Sequence, residues 1–381
     1  MSMGVMHSVF GAGPEIDPEL IDALRDSVDA FSRKRSARPG GDAAARANEE
    51  WAEVAEAGWL GLLASEEHGG AGLPAPVLVA LYQALGRNGI TSNYSAVAVL
   101  LLTALECCAA GALRDRLIAD LVNGSARPVL CWQTGATDDD RNLTFAPVTE
   151  IGDELAVSAK REFIEFADLA THFCLPAEVN GVPGLLVVEA GADGLAVMSR
   201  PALAGGLIAT VAFDTKVSAT SFITMADRRA LTAAFLLTRI ATAAQLAGLC
   251  EKMIDLTSDY TAQRLQFGKP IASNQVVQHR LVDMWGQKEL ARVAVQRAGE
   301  ACSVGVKEAE LAALAAKARA GTAAEFVSKG AFQLHGAIGY TGEYELGNLV
   351  RASLALVPWL GSPSAARRRF VDLERQRAGE R

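Results

Sequence analysis

The spacing of apolar residues divides this sequence into three consecutive blocks. From Asp17 onward, apolar side chains recur at the three- and four-residue intervals of amphipathic helices. Between Arg127 and Asp227 this period fades, and short β-branched runs alternate with turns that contain glycine and aspartate. The helical period returns at Arg228 and continues to the end of the chain. The pattern predicts an α+β fold with an N-terminal helical domain (residues 1–125), a middle β domain (126–227) and a C-terminal helical domain (228–381).

The C-terminal block contains the longest predicted helices. They cover Leu231–Tyr260, Asn274–Val304 and Lys307–Leu334, and the last is expected to stop at Gly336. At the other end of the chain, Asp17 is a predicted N-cap with Pro18 in the first helical position. Alanine is abundant and aromatic residues are only 6% of the chain, which favours helices packed closely through small side chains.

Charge and composition exclude several classes of protein. Half of the 381 residues are apolar, enough for a large core, while the net charge of −8 disfavours binding to nucleic acid. The six cysteines show no C-x-x-C spacing and are interpreted as reduced thiols, not as a disulfide framework or metal site. The first residues lack the pattern of a secretory signal, and no apolar run is judged long enough to span a bilayer. We therefore expect a cytoplasmic protein.

The segment from Arg264 to Gln275 has residues suited to a dinucleotide. An arginine binds pyrophosphate through two parallel N–H donors, which lysine cannot reproduce. Phe267 offers a packing surface, Gly268 lets the backbone turn, and Gln275 can donate hydrogen bonds to ribityl or phosphate oxygens. An ordinary helix–turn–helix with a solvated arginine explains the segment equally well.

A second segment runs from Gln333 to Tyr344. Gly336, Ala337 and Gly339 are small residues that let the backbone approach a ligand closely. A helix C-cap at Gly336 followed by a loop is the alternative interpretation. The two segments occur in order after a β block, which makes coincidence a poor explanation.

Together these two segments resemble the flavin-binding signature of the acyl-CoA dehydrogenase family. The resemblance extends to Glu66-Glu67-His68-Gly69-Gly70 and to the order of helical and β blocks. It implies an N-terminal helical domain, a middle β-barrel-like domain and a C-terminal four-helix bundle. It also implies FAD as cofactor and the α,β-desaturation of an acyl-CoA thioester. The residues that it assigns to FAD are Arg264, Phe267, Ile271, Asn274, Gln275, Gln333, Gly336 and Ala337.

The chain departs from the family where a glutamate removes the substrate's α-proton. Most members carry this residue before a Gly-Thr or Gly-Ser pair, and the matching position here is Leu360, before Gly361. A minority carry it on the long helix, before an arginine that matches Arg239, and here that position is Thr238. Neither side chain can accept a proton at neutral pH. We therefore predict no catalytic base, and the resemblance assigns Arg239 to substrate binding.

The middle domain also departs from the family pattern. The usual Thr-Glu-Pro-x-x-Gly-Ser-Asp stretch is replaced by residues 131–138, which keep Thr134 but have no Gly-Ser-Asp. In the later Lys-x-x-aromatic-Ile-Thr segment, Phe163 can still stack, but Glu165 replaces the hydroxyl residue. A carboxylate beside a flavin that receives an electron pair is unfavourable. We expect either that Glu165 points away or that this flavin half-site is empty.

Three hypotheses account for a flavin signature without a base. In the first, the chain is one subunit of a heteromeric, heterotetrameric acyl-CoA dehydrogenase, similar to those of bacterial steroid catabolism, and a partner chain supplies the glutamate. Electron-transfer flavoprotein is then an expected further partner. In the second, the chain is a flavin-dependent monooxygenase, and in the third a non-enzymatic assembly subunit. The first is preferred because it explains both features together.

Other charged clusters suggest no additional site. Arg367-Arg368-Arg369 with Arg375, Arg377 and Arg381 forms a basic C-terminal end that is most simply a solvated helix, although it could attract coenzyme A phosphates. His279 and His335 have no second histidine at ligand spacing, and Asp138-Asp139-Asp140 is too small a set for a cation. We predict no bound metal.

Overall fold

The N-terminal part of the molecule is helical, as expected. A computed structural model of the chain describes residues 16–37, 43–135, 139–341 and 344–379. The Asp17 carboxylate accepts a hydrogen bond from the backbone N–H of Glu19 at 2.9 Å, which confirms the predicted N-cap. The N-terminal helices are α1 (Pro18–Ala37), α2 (Ala43–Glu56), α3 (Ala75–Arg87), α4 (Leu102–Glu106), which continues a π-helical turn (Ala96–Leu101), and α5 (Ala112–Val122).

The middle part is an eight-stranded, mostly antiparallel sheet in the order β6-β7-β3-β2-β4-β5-β8. Strand β1 pairs in parallel with the beginning of β4, and β2 pairs in parallel with its end. Within the described residues the edge strands β6 and β8 do not pair with each other, so the barrel-like layer is an open sheet. The strands are β1 (Pro128–Leu130), β2 (Ala146–Ile151), β3 (Glu154–Glu165), β4 (His172–Val179), β5 (Val182–Glu189), β6 (Leu195–Pro201), β7 (Leu207–Ser218) and β8 (Phe222–Thr224).

Strand β3 contains a β-bulge near its end. Arg161 faces Val211 of β7, but three residues later Ile164 faces Ala209, so β3 has one extra residue. Phe163 lies in this bulge with a positive φ of 58°, and Phe166 beyond it has φ 59°. Because side chains alternate along a strand, one extra residue moves the following side chains to the opposite face.

The C-terminal part is a helical bundle with one helix at its centre. These elements are α6 (Thr232–Gln263), the hairpin strands β9 (Leu265–Gln266) and β10 (Lys269–Pro270), and the helices α7 (Gln275–Ala301), α8 (Val306–His335), α9 (Glu345–Leu356) and α10 (Pro363–Gly379). Helices α6 to α9 pack together, and α10 covers α8. The predicted fold class is confirmed, whereas the exact domain limits stay a prediction.

The first part of helix α6, from Ala233 to Cys250, is buried throughout because most of its residues are small or apolar on every side. It crosses α3 at Gly86 and Gly248, where a Cβ on Gly248 would lie 2.1 Å from the carbonyl oxygen of Gln83. Only glycine permits this approach. The segment Arg228–Gln263 is the one stretch, within the described ranges, that is long and apolar enough to cross a membrane, and its apolar window is wholly buried. Its apolar character is that of a core helix.

Candidate functional site

The three parts of the molecule enclose a cleft of about 750 Å³. Its walls come from α1 and α2, the segment Thr91–Tyr94, the end of β3, the connection between β6 and β7, and the end of α9 with the residues that follow it. Each wall belongs to a different part of the chain. The cleft is therefore the natural place for a ligand that contacts all three parts.

One end of the cleft is formed by Gln133, Phe163, Glu165 and Trp359. The bulge in β3 buries Ile164 and turns its neighbours Phe163 and Glu165 toward the cleft. The sequence left open whether Glu165 points away from the flavin; the structure directs its side chain toward the cleft, and its position relative to a flavin stays a prediction. The cause of this orientation is the extra residue of the bulge.

Glu165 is a carboxyl group in an apolar setting. Burial raises its pKa from the ordinary value of 4.5 to about 7. The neighbouring amide of Asn93 lowers this pKa, but by less than burial raises it. The side chain thus carries a proton for much of the time at neutral pH. A protonated carboxyl can donate a hydrogen bond, which removes the expected electrostatic conflict with a reduced flavin.

Neither position of the missing base faces the cleft. The Leu360 side chain is only 1% exposed and packs into the core, with a positive φ of 58°. Thr238 is fully buried in α6, where its hydroxyl donates to the carbonyl of Ala234. Lys317 Nζ donates to the carbonyls of Val357 at 2.7 Å and Gly361 at 3.1 Å, which holds the loop around Leu360 in place.

Arg239 lies in a buried ion-pair network and outside the cleft lining. Its Nε donates to the Leu360 carbonyl at 3.2 Å, and its Nη2 lies 2.5 Å from Asp140 Oδ1. Asp140 also pairs with Arg369, which contacts Glu310. Burial alone would raise the pKa of Asp140, but the two arginines outweigh it and hold this pKa below its ordinary value. Here Arg239 fixes the loop, and its contact with substrate stays a prediction.

The same network changes the interpretation of the basic C-terminal end. Arg369 is largely buried and ion-paired, and Arg377 pairs with Glu308 and Glu374. These two arginines are therefore not simply solvated. In the acidic run Asp138–Asp140, Asp140 forms an ion pair with Arg239. Asp138 and Arg381 lie outside the described residues.

The residues assigned to FAD lie together at one end of the bundle, on the outside. The β9–β10 hairpin follows α6, the Gln333 segment ends α8, and the rings of Tyr260 and His335 stack with centroids 4.5 Å apart between them. At the hairpin tip Phe267 is 100% exposed with φ 52°. The residues of this outer cradle are exposed apart from Ile271, which is half-buried: Arg264, Phe267, Asn274, Gln275, Gln333, Gly336 and Ala337.

These residues fit one half of a flavin dinucleotide. Within the described part of the chain, the guanidinium of Arg264 has no ion-pair partner, so it is free to bind a pyrophosphate. Gln333 offers a side-chain amide on the same end of the bundle, and the exposed backbone at Gly336 leaves room for close approach. Gly336 also ends α8 with φ 64°, so the C-cap and the ligand-contact interpretations are compatible.

Several cleft residues were not found from the sequence. Asn93, Arg127 and Arg200 line the cleft but belong to no recognised motif. Arg127 stands before β1 and Arg200 near the end of β6, in positions that carry no periodic signal. Their convergence depends on how the domains pack, and no local pattern in the sequence could have revealed it.

Comparison with known proteins decides the family. The model of the acyl-CoA dehydrogenase N-terminal domain matches residues 18–125, and that of the C-terminal domain matches residues 228–371. Together they cover about two thirds of the chain. The chain belongs to the acyl-CoA dehydrogenase family.

Individual relatives in this family are distant. The 3-sulfinopropanoyl-CoA desulfinase of Paraburkholderia xenovorans (strain LB400) is 28% identical over 316 residues, which are 77% of this chain and 79% of that protein. The solved structure of Tcur3481-Tcur3483, described as a steroid ACAD, gives a TM-score of 0.74 at 25% identity and covers 95% of this chain and 98% of that one.

The FAD complex of PigA has a similar fold. Its TM-score is 0.83 at 20% identity, with 94% of this chain and 99% of that chain covered. Membership of the acyl-CoA dehydrogenase family and the residues of the outer cradle both indicate FAD as the cofactor. This acyl-CoA dehydrogenase-type flavoprotein uses FAD.

Proposed function

We propose that the chain is one subunit of a heteromeric acyl-CoA dehydrogenase, in which a partner chain supplies the proton-abstracting glutamate. The observation that carries the proposal is a contrast within one molecule. The outer cradle has the residues that the family resemblance assigns to FAD, while both predicted positions of the base are buried, uncharged and turned away from the cleft. A subunit that only helps to hold the cofactor needs the cofactor-binding residues but no catalytic base.

The hairpin tip supports a partner at the cradle. A bulky residue at positive φ costs about 1–2 kcal/mol, and a fully exposed phenyl ring gains nothing from the core. In Phe267 both features occur together. A ligand or neighbouring chain that covers the ring would offset this cost by burying its apolar area.

Helix α7, which follows the hairpin, presents a further surface for a second chain. Its buried residues pack on the bundle, while large apolar side chains on the opposite side are 47% to 76% exposed. These residues are Val276, Val282, Trp285, Leu290 and Val293. An apolar helix face of this length marks a protein–protein interface. We propose that it packs against the related chain that completes the FAD site.

The chemistry would be divided between the two chains. FAD, when bound, supplies a two-electron acceptor. This chain's residues would bind its pyrophosphate through Arg264, cover its surface with Phe267, and keep the cleft apolar through Phe163 and Trp359. The name of one relative, a steroid ACAD, supports a polycyclic acyl group in the substrate of this chain, and the cleft volume accommodates such a group. We place this activity in the cytoplasm, with electrons passed to electron-transfer flavoprotein.

Glu165 supports a second candidate function. It is a carboxyl of this same chain that faces the cleft, with a pKa near 7 that suits proton transfer at neutral pH. The chain alone would then desaturate an acyl-CoA, with Glu165 accepting the α-proton. No described residue specifically favours the monooxygenase hypothesis.

Co-expression distinguishes these possibilities. The chain is purified alone and together with a glutamate-bearing acyl-CoA dehydrogenase chain of the same host, and flavin absorbance near 450 nm and acyl-CoA-dependent dye reduction are measured. We expect flavin retention and activity only in the complex. Activity of the chain alone that disappears in Glu165→Gln would establish the second candidate. A stoichiometric complex without flavin at the interface would support an assembly role.

Arg264→Lys in the complex tests the cradle. The substitution keeps the charge but loses the two parallel donors, so flavin retention should fall while the two chains still co-purify. Arg297→Lys, on an exposed part of α7, is the matched control and should retain flavin. Equal flavin content in both variants would show that Arg264 does not bind the cofactor.

A further inference from the structure

The cleft contains a buried cation that has no matching anion among the residues that the structure describes. Arg127 is only 6% exposed and lines the cleft, yet no carboxylate in the described part of the chain lies within ion-pair distance. Its Nε is buried and has no hydrogen-bond partner, and its Nη2 donates to Asn48 Oδ1 at a long 3.4 Å. An arginine removed from water is normally paired, because an unpaired buried charge is strongly destabilising.

The contacts around Arg127 compensate only part of this cost. Its guanidinium carbon lies 4.4 Å from the centre of the Trp51 ring, a cation–π contact. Burial lowers the pKa of Arg127, and only more distant groups, Asp168 and Tyr94, act against this. The position is also rigid, since its backbone exchanges hydrogen bonds with Thr171 at 2.9 and 3.0 Å. The guanidinium is thus held toward the cleft, and its donors are incompletely used.

The rest of the cleft has a positive balance although the chain is acidic overall. Among the described residues, its lining contains four arginines, Arg35, Arg46, Arg127 and Arg200, against three acids, Glu50, Asp168 and Glu165. Glu50 is already paired with Arg35 at 3.3 Å. Because burial raises the pKa of Glu165 to about 7, this side chain adds little negative charge below that pH. A local excess of cations in a concave site attracts anions.

The Arg127 corner also has an apolar side. The ring of Phe166 lies between Trp51 and Tyr94, with ring centroids 6.4 Å and 5.9 Å away. The donors of Arg127 therefore stand beside an aromatic wall. Such a corner suits a ligand with an apolar body that ends in a negatively charged group.

We propose that this corner is an oxyanion-binding subsite, and that the ligand of the cleft carries a carboxylate or phosphate that pairs with Arg127. The inference rests on the proposed function in one respect, that acyl thioesters bind in this cleft. It adds that the preferred thioester carries an anionic group at the end that reaches Arg127. If that group belongs to the acyl chain, the substrate class is a thioester of a dicarboxylic acid.

Binding of matched thioesters tests the proposal. Adipoyl-CoA and hexanoyl-CoA have acyl chains of six carbons and differ in the terminal carboxylate. Titration calorimetry on the purified full-length chain, alone and in its complex, should show adipoyl-CoA binding about tenfold or more tightly. Arg127→Met should abolish this preference and leave the affinity for hexanoyl-CoA nearly unchanged. Equal affinities in the wild type without competition by phosphate, or a preference that survives in Arg127→Met, would overturn the proposal.

Two further ligands identify the source of the anion. If free coenzyme A and inorganic phosphate both compete with hexanoyl-CoA, and Arg127→Met removes the competition by phosphate, the subsite holds a phosphate of coenzyme A. If adipate competes and phosphate does not, it holds the acyl carboxylate. Either result supports an oxyanion subsite, and competition by neither adipate nor phosphate counts against it.

Stability separates a binding role from a structural one. Removal of an unpaired buried charge should leave the melting temperature of Arg127→Met equal to that of the wild type or higher. Arg114 is the matched control: it is 5% exposed, but it lies 2.6 Å from Asp115 and donates to the carbonyl of Cys108. Arg114→Met should therefore melt at a lower temperature. A comparable loss in Arg127→Met would show that Arg127 serves the fold. Flavin retention in the co-expressed complex is a separate readout, so this proposal and the proposed function can fail independently.

Discussion

The pKa of Glu165 makes a prediction about how stability depends on pH. The folded chain holds this carboxyl at a pKa of about 7, whereas in the unfolded chain it returns to about 4.5. The folded state therefore binds the proton more tightly. As the pH rises from 4.5 through 7, the folded state loses stability relative to the unfolded state, because it must bury an ionised carboxylate.

The size of the effect follows from this shift. A difference of about 2.5 units corresponds to about 3.4 kcal/mol in total, of which about 2.5 kcal/mol falls between pH 5.0 and 8.5. Glu165 is half-buried and faces an open cleft, so solvent reduces this to about 1–2 kcal/mol. For a chain of 381 residues the unfolding entropy is about 0.8 kcal/mol/K, so the change corresponds to about 1–3 °C in melting temperature.

Thermal unfolding of the wild type and Glu165→Gln at pH 5.0 and 8.5, followed by circular dichroism, measures this. The melting temperature of Glu165→Gln relative to the wild type should rise by about 1–3 °C between the two pH values. Glu162→Gln is the control on the same strand. A hydrogen bond and charge from Lys160 lower the pKa of Glu162, so this carboxyl stays ionised over the whole range, and the difference should be nearly constant. The reasoning is refuted if Glu165→Gln shows no dependence on pH, or if its relative stability falls as the pH rises.

Three other substitutions test the packing around the site. Leu360→Glu should lower the melting temperature, because it buries a carboxyl group in the core. It should also give the chain alone no acyl-CoA-dependent dye reduction, because this side chain faces away from the cleft. A gain of activity would contradict this placement. Asp140→Asn leaves two buried arginines without their shared carboxylate and should lower the free energy of unfolding by about 3–5 kcal/mol, measured by thermal or urea unfolding. The control Asp22→Asn breaks an exposed ion pair and should lower it by less than about 1 kcal/mol. Equally small losses in both variants would mean that the buried network does not stabilise the fold. Gly248→Ala should lower the melting temperature strongly, because the added Cβ prevents the close approach of α3 and α6. The control Gly286→Ala in helix α7 places its Cβ in open space and should leave the melting temperature unchanged or raise it. Melting temperatures in the reverse order would exclude a close helix contact at Gly248.

Local patterns in the sequence predicted the features that local physical chemistry determines. The helix period, the Asp17 N-cap and the stop at Gly336 depend on neighbouring residues alone, and each appears in the structure. Strands with apolar runs were predicted in the same way. The short or largely exposed strands β2, β6 and β8 were not predicted.

Long-range packing decided what the cleft presents to a ligand. One extra residue in β3 reverses the direction of Glu165, and the register with β7 that creates this bulge is not encoded in the segment itself. The burial of Arg127 likewise needs α2, Trp51 and the start of the sheet to meet. The sequence alone indicated the family and its FAD cofactor, because those depend on residue identity at motif positions; the individual cofactor residues and the loss of the base stay predictions. Only the tertiary structure decided which charges lose their water, because desolvation depends on neighbours that are distant in the chain.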